Sequence, residues 1–290
     1  MSGNTLAEVL LAARRRLSEA GVNDAAGDAR ALIMGLLALT STSFITEGGR
    51  ILDRAERQVI DDAIERRIRR EPVHRILGHR AFSRLDLALS SETLEPRPDT
   101  EILVDTLVPH AQRILAETGR CRILDLGTGT GAICLALLDL VPGATGVGAD
   151  LSAGALETAR RNAELNGVAD RFETVESDWF AGIDGAFDII VSNPPYIVRS
   201  VVGTLDDEVR LYDPILALDG GEDGLDAYRA IAAGAGDHLR ENGLVAYEIG
   251  YDQKDQVTAI MRENGFARIA AVEDLGGNDR VLVFSKAVLL

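Results

Sequence analysis

The chain has 290 residues, 46% of them hydrophobic, which is ample for two domain cores. Lys and Arg number 30 against 46 Asp and Glu, and the excess is uneven: residues 1–80 hold 13 basic and 11 acidic side chains, leaving 17 against 35, a net −18, for residues 81–290. That balance repels a phosphate backbone and counts against direct nucleic-acid binding, while the lack of a leader or of any apolar run of membrane length predicts a cytoplasmic protein with no membrane partner.

In chain order, residues 1–80 read as helical. Leu6, Val9, Leu10, Ala13 and Leu17 recur at helical spacing and Gly21 stops the run; "ARALIMGLLAL" predicts a second helix ending near Thr40. "DRAERQVIDDAIERRIRR" predicts a third, with Val59, Ile60, Ala63, Ile64 and Ile68 on one face and Pro72 closing it. The basic cluster Arg66, Arg67, Arg69 and Arg70 reads as a solvated helix face, with an acidic partner as the alternative. Residues 81–96, "AFSRLDLALSSETL" and its flanks, alternate as a β-hairpin linker does.

Residues 97–290 read as the catalytic domain. The prolines of "EPRPDTEILVDTLV" precede an amphipathic helix, and then "RILDLG", "ATGVGAD", "RFETVESD", "FDIIVSNPP", "GLVAYEIG", "FARIAAVEDL" and "RVLVFSK" supply seven short strands alternating with helices. This order predicts an α/β fold with a doubly wound, mostly parallel, seven-stranded sheet behind a small N-terminal helical domain. Cys121 and Cys134 are too few for a disulfide framework and read as small buried hydrophobes. His74, His79, His110 and His238 lack metal-ligand spacing, and no metal is expected.

"RILDLGTGTGAICLALL" is a strand, a glycine turn and a helix. Gly127, Gly129 and Gly131 allow a tight turn and close approach of a ligand to the helix N-terminus, with Thr128 and Thr130 completing the loop. Nineteen residues after Gly131, Asp150 ends the next strand, where a carboxylate can accept hydrogen bonds from both ribose hydroxyls. A nucleoside-containing cofactor follows, but the loop alone leaves its identity open. Gly127-x-Gly129-x-x-Ala132 also satisfies the dinucleotide fingerprint of NAD. Asp125 shifts the balance, because a carboxylate just before the loop suits the sulfonium and amino group of S-adenosyl-L-methionine and offers nothing to a pyrophosphate. Asp178 and Trp179, past the third strand, are expected beside the adenine, the carboxylate near its amino group and the indole against the ring.

"VSNPPYI" closes the fourth strand on the side where doubly wound sheets bind ligands. The Asn193 carbonyl can accept one N–H of a planar NH2 group and the Pro194 carbonyl the other. Pro194 and Pro195 stiffen the turn, and Tyr196 is expected flat against the planar group. No strong base stands near this motif in the sequence, so the proton is expected to leave late, to water.

The run D-x-G-x-G-x-G, with an acidic residue after the second strand, resembles the class I methyltransferases, and "NPPY" resembles those that methylate amino groups conjugated to a π system. "EPVHRILGHRAF", "LEPRPDTEILV", "DLGTGTGAICLALL", "SNPPYI", "YDPILALDGGEDGLDAYR", "EIGYDQ" and "DLGGNDRVLVF" together resemble the HemK/PrmC family, the peptide chain release factor N5-glutamine methyltransferases. The resemblance runs from about residue 70 to the end and more loosely through the helical part. His74-Arg75 replaces a frequent aromatic, and Glu95 stands before Pro96 where an apolar residue is usual. The resemblance implies S-adenosylmethionine as methyl donor and the glutamine of a Gly-Gly-Gln loop in release factors as acceptor; because such a loop offers few contacts, residues 1–80 are expected to be the surface that docks the factor. Alternatives are glutamine methylation of a ribosomal protein, adenine-N6 methylation of nucleic acid, a non-catalytic S-adenosylmethionine sensor and a nicotinamide dehydrogenase.

Overall fold

The computed structural model describes residues 5–287 of the chain. It divides into two compact units, one running to His79 and taking in Asp206–Tyr212, the other made of Arg80–Leu205 and the chain from Asp213 onward.

The first unit contains α1 (Leu6–Glu19), α2 (Ala25–Leu36), α3 (Ser41–Thr46), α4 (Arg54–Ile68) and α5 (Val73–Leu77). Reciprocal side-chain caps start α1 and α4: Thr5 with Glu8, and Asp53 with Glu56. Leu6, Leu17, Leu32, Ile33, Ile60 and Ile64 form the core. Helix α2 ends at Leu36, short of the expected Thr40, because Ala38 turns into the left-handed region at φ 50°. Val59, expected on the apolar face of α4, is 47% exposed. The buried stripe is Ile60, Ala63, Ile64 and Arg67.

Of the arginine cluster, Arg69 is exposed as a solvated face requires, but the other three are engaged within the unit. Arg67, only 5% exposed, donates to Asp28 at 2.7 Å and to Glu208 at 2.6 Å. Arg66 pairs with Glu71, and Arg70 donates to the carbonyls of Ala20 and Gly21. Helical spacing carried Arg67 onto the inner face, where its charge had to be matched within the unit.

The second unit opens with a hairpin, β1 (His79–Phe82) and β2 (Leu85–Ala88), after which residues 89–99 are irregular up to α6 (Thr100–Thr118). The hairpin is therefore shorter than residues 81–96. Glu95 is buried by an ion pair with Arg80, which accounts for a carboxylate at that place. There follow β3 (Cys121–Leu126), α7 (Ala132–Leu140), β4 (Ala144–Asp150), α8 (Ala153–Leu165), β5 (Phe172–Glu176), β6 (Phe187–Ser192), α9 (Arg199–Val202), α11 (Asp226–His238), β7 (Leu239–Glu248), α12 (Lys254–Glu263), β8 (Phe266–Glu273) and β9 (Asp279–Lys286); α10 (Asp207–Arg210) belongs to the first unit.

The seven-stranded sheet has the order β5-β4-β3-β6-β7-β9-β8, parallel except for β9, which runs antiparallel to both neighbours. Alternate strand residues feed two cores. Ile123, Ile189 and Ala246 pack with α6 and α7; Leu124, Ile190 and Val245 pack with Tyr228, Ile231 and Val257 of α11 and α12. Cys121 and Cys134 are buried and unbridged, and burial pushes the Cys121 thiol up to about 12. No helix among the described residues is long and apolar enough to cross a membrane.

Candidate active site

The parallel register brings the carboxyl ends of β3, β4, β6 and β7 to one edge. Leu126 lies opposite Ala149, and Ser192 lies opposite Tyr247. The residues that follow therefore emerge together, as expected where a doubly wound sheet receives its ligand. There a cavity of about 620 Å³ opens, and every residue lining it belongs to the second unit.

Gly127, Thr128, Gly129 and Thr130 line one wall. The φ values of Gly127 and Gly129, 71° and 56°, are in the left-handed region, and a Cβ on either would meet open space. The loop's backbone is thus accessible to a ligand without steric reason for a side chain to be absent, and conformation alone favours glycine there. Asp150 also lines the cavity and braces the loop, accepting from the Gly129 N–H at 2.9 Å and from the Ser152 N–H at 2.9 Å. Each carboxylate oxygen keeps a further lone pair. Asp178, Trp179, Asn193 and Pro195 complete the set of expected residues on the wall.

Asp125, Gly131, Pro194 and Tyr196 are not on that wall. Asp125 is fully buried behind the loop, accepting from the Thr128 hydroxyl at 2.8 Å and the Cys134 N–H at 3.3 Å through one oxygen. Its other oxygen, Oδ1, is buried with no hydrogen-bond partner among the described residues. Burial pushes this carboxyl up to about 7, against the pull of the Thr128 and Cys134 hydrogen bonds, with the charge of Asp150 adding to the rise. Gly131 caps α7, and a Cβ there would press on Leu135. Pro194 is buried, and Tyr196 packs partly buried against the α11 side of the sheet. Burial pushes its phenol up to about 12, so the ring stays neutral at physiological pH.

The "NPPY" segment is held by groups that sequence reasoning did not single out. Ile197 exchanges main-chain hydrogen bonds with the strand-like stretch 218–220. Gly224 comes so close that a Cβ would lie 2.5 Å from the Tyr196 carbonyl oxygen, with φ at +77° besides. Gln253 donates to the carbonyls of Tyr196 and Gly224 at 3.0 and 3.1 Å. Behind Asn193, its Nδ2 donates to Thr100 Oγ1 at 3.2 Å, and the Thr100 hydroxyl donates to Glu248 Oε2 at 2.6 Å. Burial pushes the Glu248 carboxyl up and the charge of Asp99 adds to the rise, while the hydrogen bond from Thr100 and the charge of Arg280 draw it back. The only sequence signal for these residues was that "RPDTE", "DGGEDGLDAYR" and "EIGYDQ" belong to the stretches carrying the family resemblance, without roles attached.

Comparison with known proteins adds the following. A family model described as the PrmC N-terminal domain matches residues 8–78, and one described as the methyltransferase small domain matches residues 97–205. The release factor glutamine methyltransferase of Agrobacterium fabrum is 56% identical over 289 residues, covering 99% of this chain and 100% of that protein. The enzyme of the same name from Caulobacter vibrioides is 40% identical, covering 96% of each chain. Among solved structures, a methyltransferase from Pyrococcus furiosus aligns with a TM-score of 0.51 at 20% identity, covering 70% of this chain and 90% of that one. The hMettl16 catalytic domain, solved in complex with the MAT2A 3'UTR hairpin 6, aligns with a TM-score of 0.53 at 16% identity, covering 82% and 84%. At such identities these two speak for the fold alone.

Proposed function

The chain belongs to the release factor glutamine methyltransferase family, and from that premise we propose that it methylates the side-chain amide nitrogen, N5, of the glutamine in the Gly-Gly-Gln loop of peptide chain release factors. The observation that carries this reading is that Asn193 shares one cavity wall with the glycine loop and Asp150. An acceptor for a planar NH2 group and a site for a nucleoside cofactor are thereby joined.

The methyl donor of this reading is S-adenosylmethionine, which the family uses. The residues present fit it on three counts. The cavity has the volume of a cofactor site. Asp150 offers spare lone pairs at its wall, where ribose hydroxyls would be held, and Trp179 with Asp178 offers a ring face and a carboxylate for adenine. Asp125 keeps a buried, unpartnered carboxylate oxygen beneath the loop, a feature suited to a cationic ligand. When bound, S-adenosylmethionine supplies an electrophilic methyl group on a sulfonium sulfur.

An amide nitrogen is a weak nucleophile because its lone pair is delocalised. Asn193, on the cavity wall, accepts one of its N–H bonds, and the other falls, on this reading, to the carbonyl of Pro194, the buried residue between Asn193 and Pro195 of that wall; such bonds strengthen as the nitrogen gains positive charge. The stiff Pro194-Pro195 turn keeps both acceptors aimed, and Tyr196, packed against the core beside the cavity, anchors its far end. Alignment of this kind is worth up to roughly 7–11 kcal/mol of a barrier. The surplus proton passes from the product nitrogen to water.

The net −18 of residues 81–290 favours a protein loop over a phosphate backbone as partner, and a cytoplasmic setting accords with a translation factor as substrate. The test is mass spectrometry of release factor after incubation with the chain and labelled S-adenosylmethionine. One methyl group on the loop glutamine is the expected result. Labelling of a ribosomal protein, or of adenine in nucleic acid, with the release factor unmodified, overturns the substrate assignment.

A further inference from the structure

Asn193 can serve as an acceptor only if its amide is turned the right way round. A flipped side chain would present NH2 to the substrate's NH2, donor against donor. Nothing in the residue itself chooses between the two orientations, so the choice has to come from what lies behind it.

Behind it lies a carboxylate. Ser192 of β6 pairs with Tyr247 of β7, so Asn193 and Glu248 sit at matching levels at the ends of adjacent strands. Thr100, the first residue of α6, is inserted between their side chains, and its N–H is tied to the Arg97 carbonyl at 3.1 Å. The hydrogen-bond chain runs Asn193 Nδ2 to Thr100 Oγ1 to Glu248 Oε2, at 3.2 and 2.6 Å. Thr100 and Asn193 line the cavity, whereas Glu248 is 2% exposed and does not.

We infer that Glu248, acting through Thr100, is the positioning residue that fixes the Asn193 amide with its carbonyl toward the acceptor nitrogen. An ionised carboxylate only accepts, so the Thr100 hydroxyl must spend its single hydrogen on Glu248 and can offer Asn193 nothing but a lone pair. Asn193 then has to turn its NH2 inward, which leaves Oδ1 for the cavity. The chain also works electrostatically. Successive hydrogen bonds ending on a negative charge polarise one another, making Asn193 Oδ1 a stronger acceptor just where positive charge develops. Burial and the charge of Asp99 raise the Glu248 carboxyl above its ordinary value, and the Thr100 hydrogen bond and the charge of Arg280 act against that rise in favour of the ionised form.

This inference rests on the proposed glutamine methylation and deepens it. The test uses the full chain, full-length release factor and S-adenosylmethionine, and compares Thr100→Val, Thr100→Ser and Glu248→Gln. Thr100→Val, which cuts the relay with little change of volume, is expected to lower kcat by about tenfold to a hundredfold. Cofactor affinity by calorimetry and KM for the release factor should stay within a few-fold, and Thr100→Ser, which keeps the hydroxyl, should restore most of the rate. Glu248→Gln should lower kcat by about tenfold, having lost charge but not hydrogen-bonding capacity.

The same Thr100→Val change placed on an Asn193→Ala background should cost nothing further, because the residue it positions is gone. A purely structural role for Thr100 predicts equal losses in both backgrounds. Equal losses, or a Thr100→Val enzyme with wild-type kcat, overturn the inference while leaving the methylation reading in place. A wild-type chain that transfers no methyl group to release factor removes both.

Discussion

The side-chain amide of Gln253 donates to the main-chain carbonyl of Tyr196 at 3.0 Å, joining the start of α12 to the acceptor motif 57 residues earlier. The same amide donates to the Gly224 carbonyl at 3.1 Å, and its oxygen accepts from the Gly250 N–H at 3.0 Å and from the Tyr228 hydroxyl at 3.3 Å. Gln253→Leu strands three of these groups, the Tyr196 and Gly224 carbonyls and the Gly250 N–H, while the Tyr228 hydroxyl keeps the Glu248 carbonyl at 3.1 Å. The substitution is expected to cost about 1–3 kcal/mol, seen as a thermal midpoint lower by roughly 2–12 °C, together with reduced kcat. An unchanged midpoint would show that the clamp is dispensable.

Asp150 has two tasks, bracing Gly129 and offering lone pairs to a ribose. Asp150→Ala should therefore weaken both S-adenosylmethionine and its demethylated product by about 1–3 kcal/mol, or roughly five- to 150-fold in Kd. Titration calorimetry checks this, and equal affinities for variant and wild type remove Asp150 from the cofactor site.

Asn193→Ala should lower methyl transfer by about a hundredfold or more, since its carbonyl meets charge that exists only in the transition state. Circular dichroism and most of the cofactor affinity should be preserved. Wild-type turnover in the purified variant would falsify the acceptor role of the motif.

Asp125 makes a prediction about pH. Its carboxyl is pushed up to about 7 by burial, against about 3.9 in an unfolded chain. Between those values the native state holds a proton that the unfolded state has released. This group's contribution to stability is therefore present at low pH and falls by up to roughly 1.4 kcal/mol per pH unit as pH rises through the window. Asp125→Asn cannot titrate. Urea unfolding from pH 4.5 to 8 should show its stability gaining steadily on the wild type, and a constant gap would mean that Asp125 is ionised throughout.

The sheet was legible in the sequence because each of its seven strands is a short apolar run between glycine or helical segments, and each element of that order is present. That Gly127, Gly129, Asp150 and Asn193 would come to one edge of the sheet was legible for the same reason, since glycine loops and strand-terminal polar residues announce themselves locally. What local patterns could not reveal were contacts made across long separations. Thr100 and Glu248 are 148 residues apart and meet only because α6 packs against β7. The periodicity of α4 pointed to Val59 for its apolar face, whereas the buried stripe runs through Arg67, whose side chain could be matched only by residues far along the chain. Asp125 was assigned to the ligand because of its place before the loop; that it is fully buried behind the loop, with one oxygen unpartnered among the described residues, comes from packing that a local pattern does not display.

The pairing of Arg67 with Glu208 has a consequence for the order of synthesis. The two are 141 residues apart within the same helical unit. At 5–20 residues per second, a ribosome that has made Arg67 needs roughly 7–30 s more to make its second counterion. Through that interval the nascent helices hold a buried guanidinium with Asp28 alone, while β3, β4, β5 and β6 are being translated. The first part of the protein to emerge is thus among the last to be finished. Protease digestion of chains stalled before and after residue 208 is expected to show the helices hardening only in the longer ones; equal resistance in both would mean that Asp28 suffices.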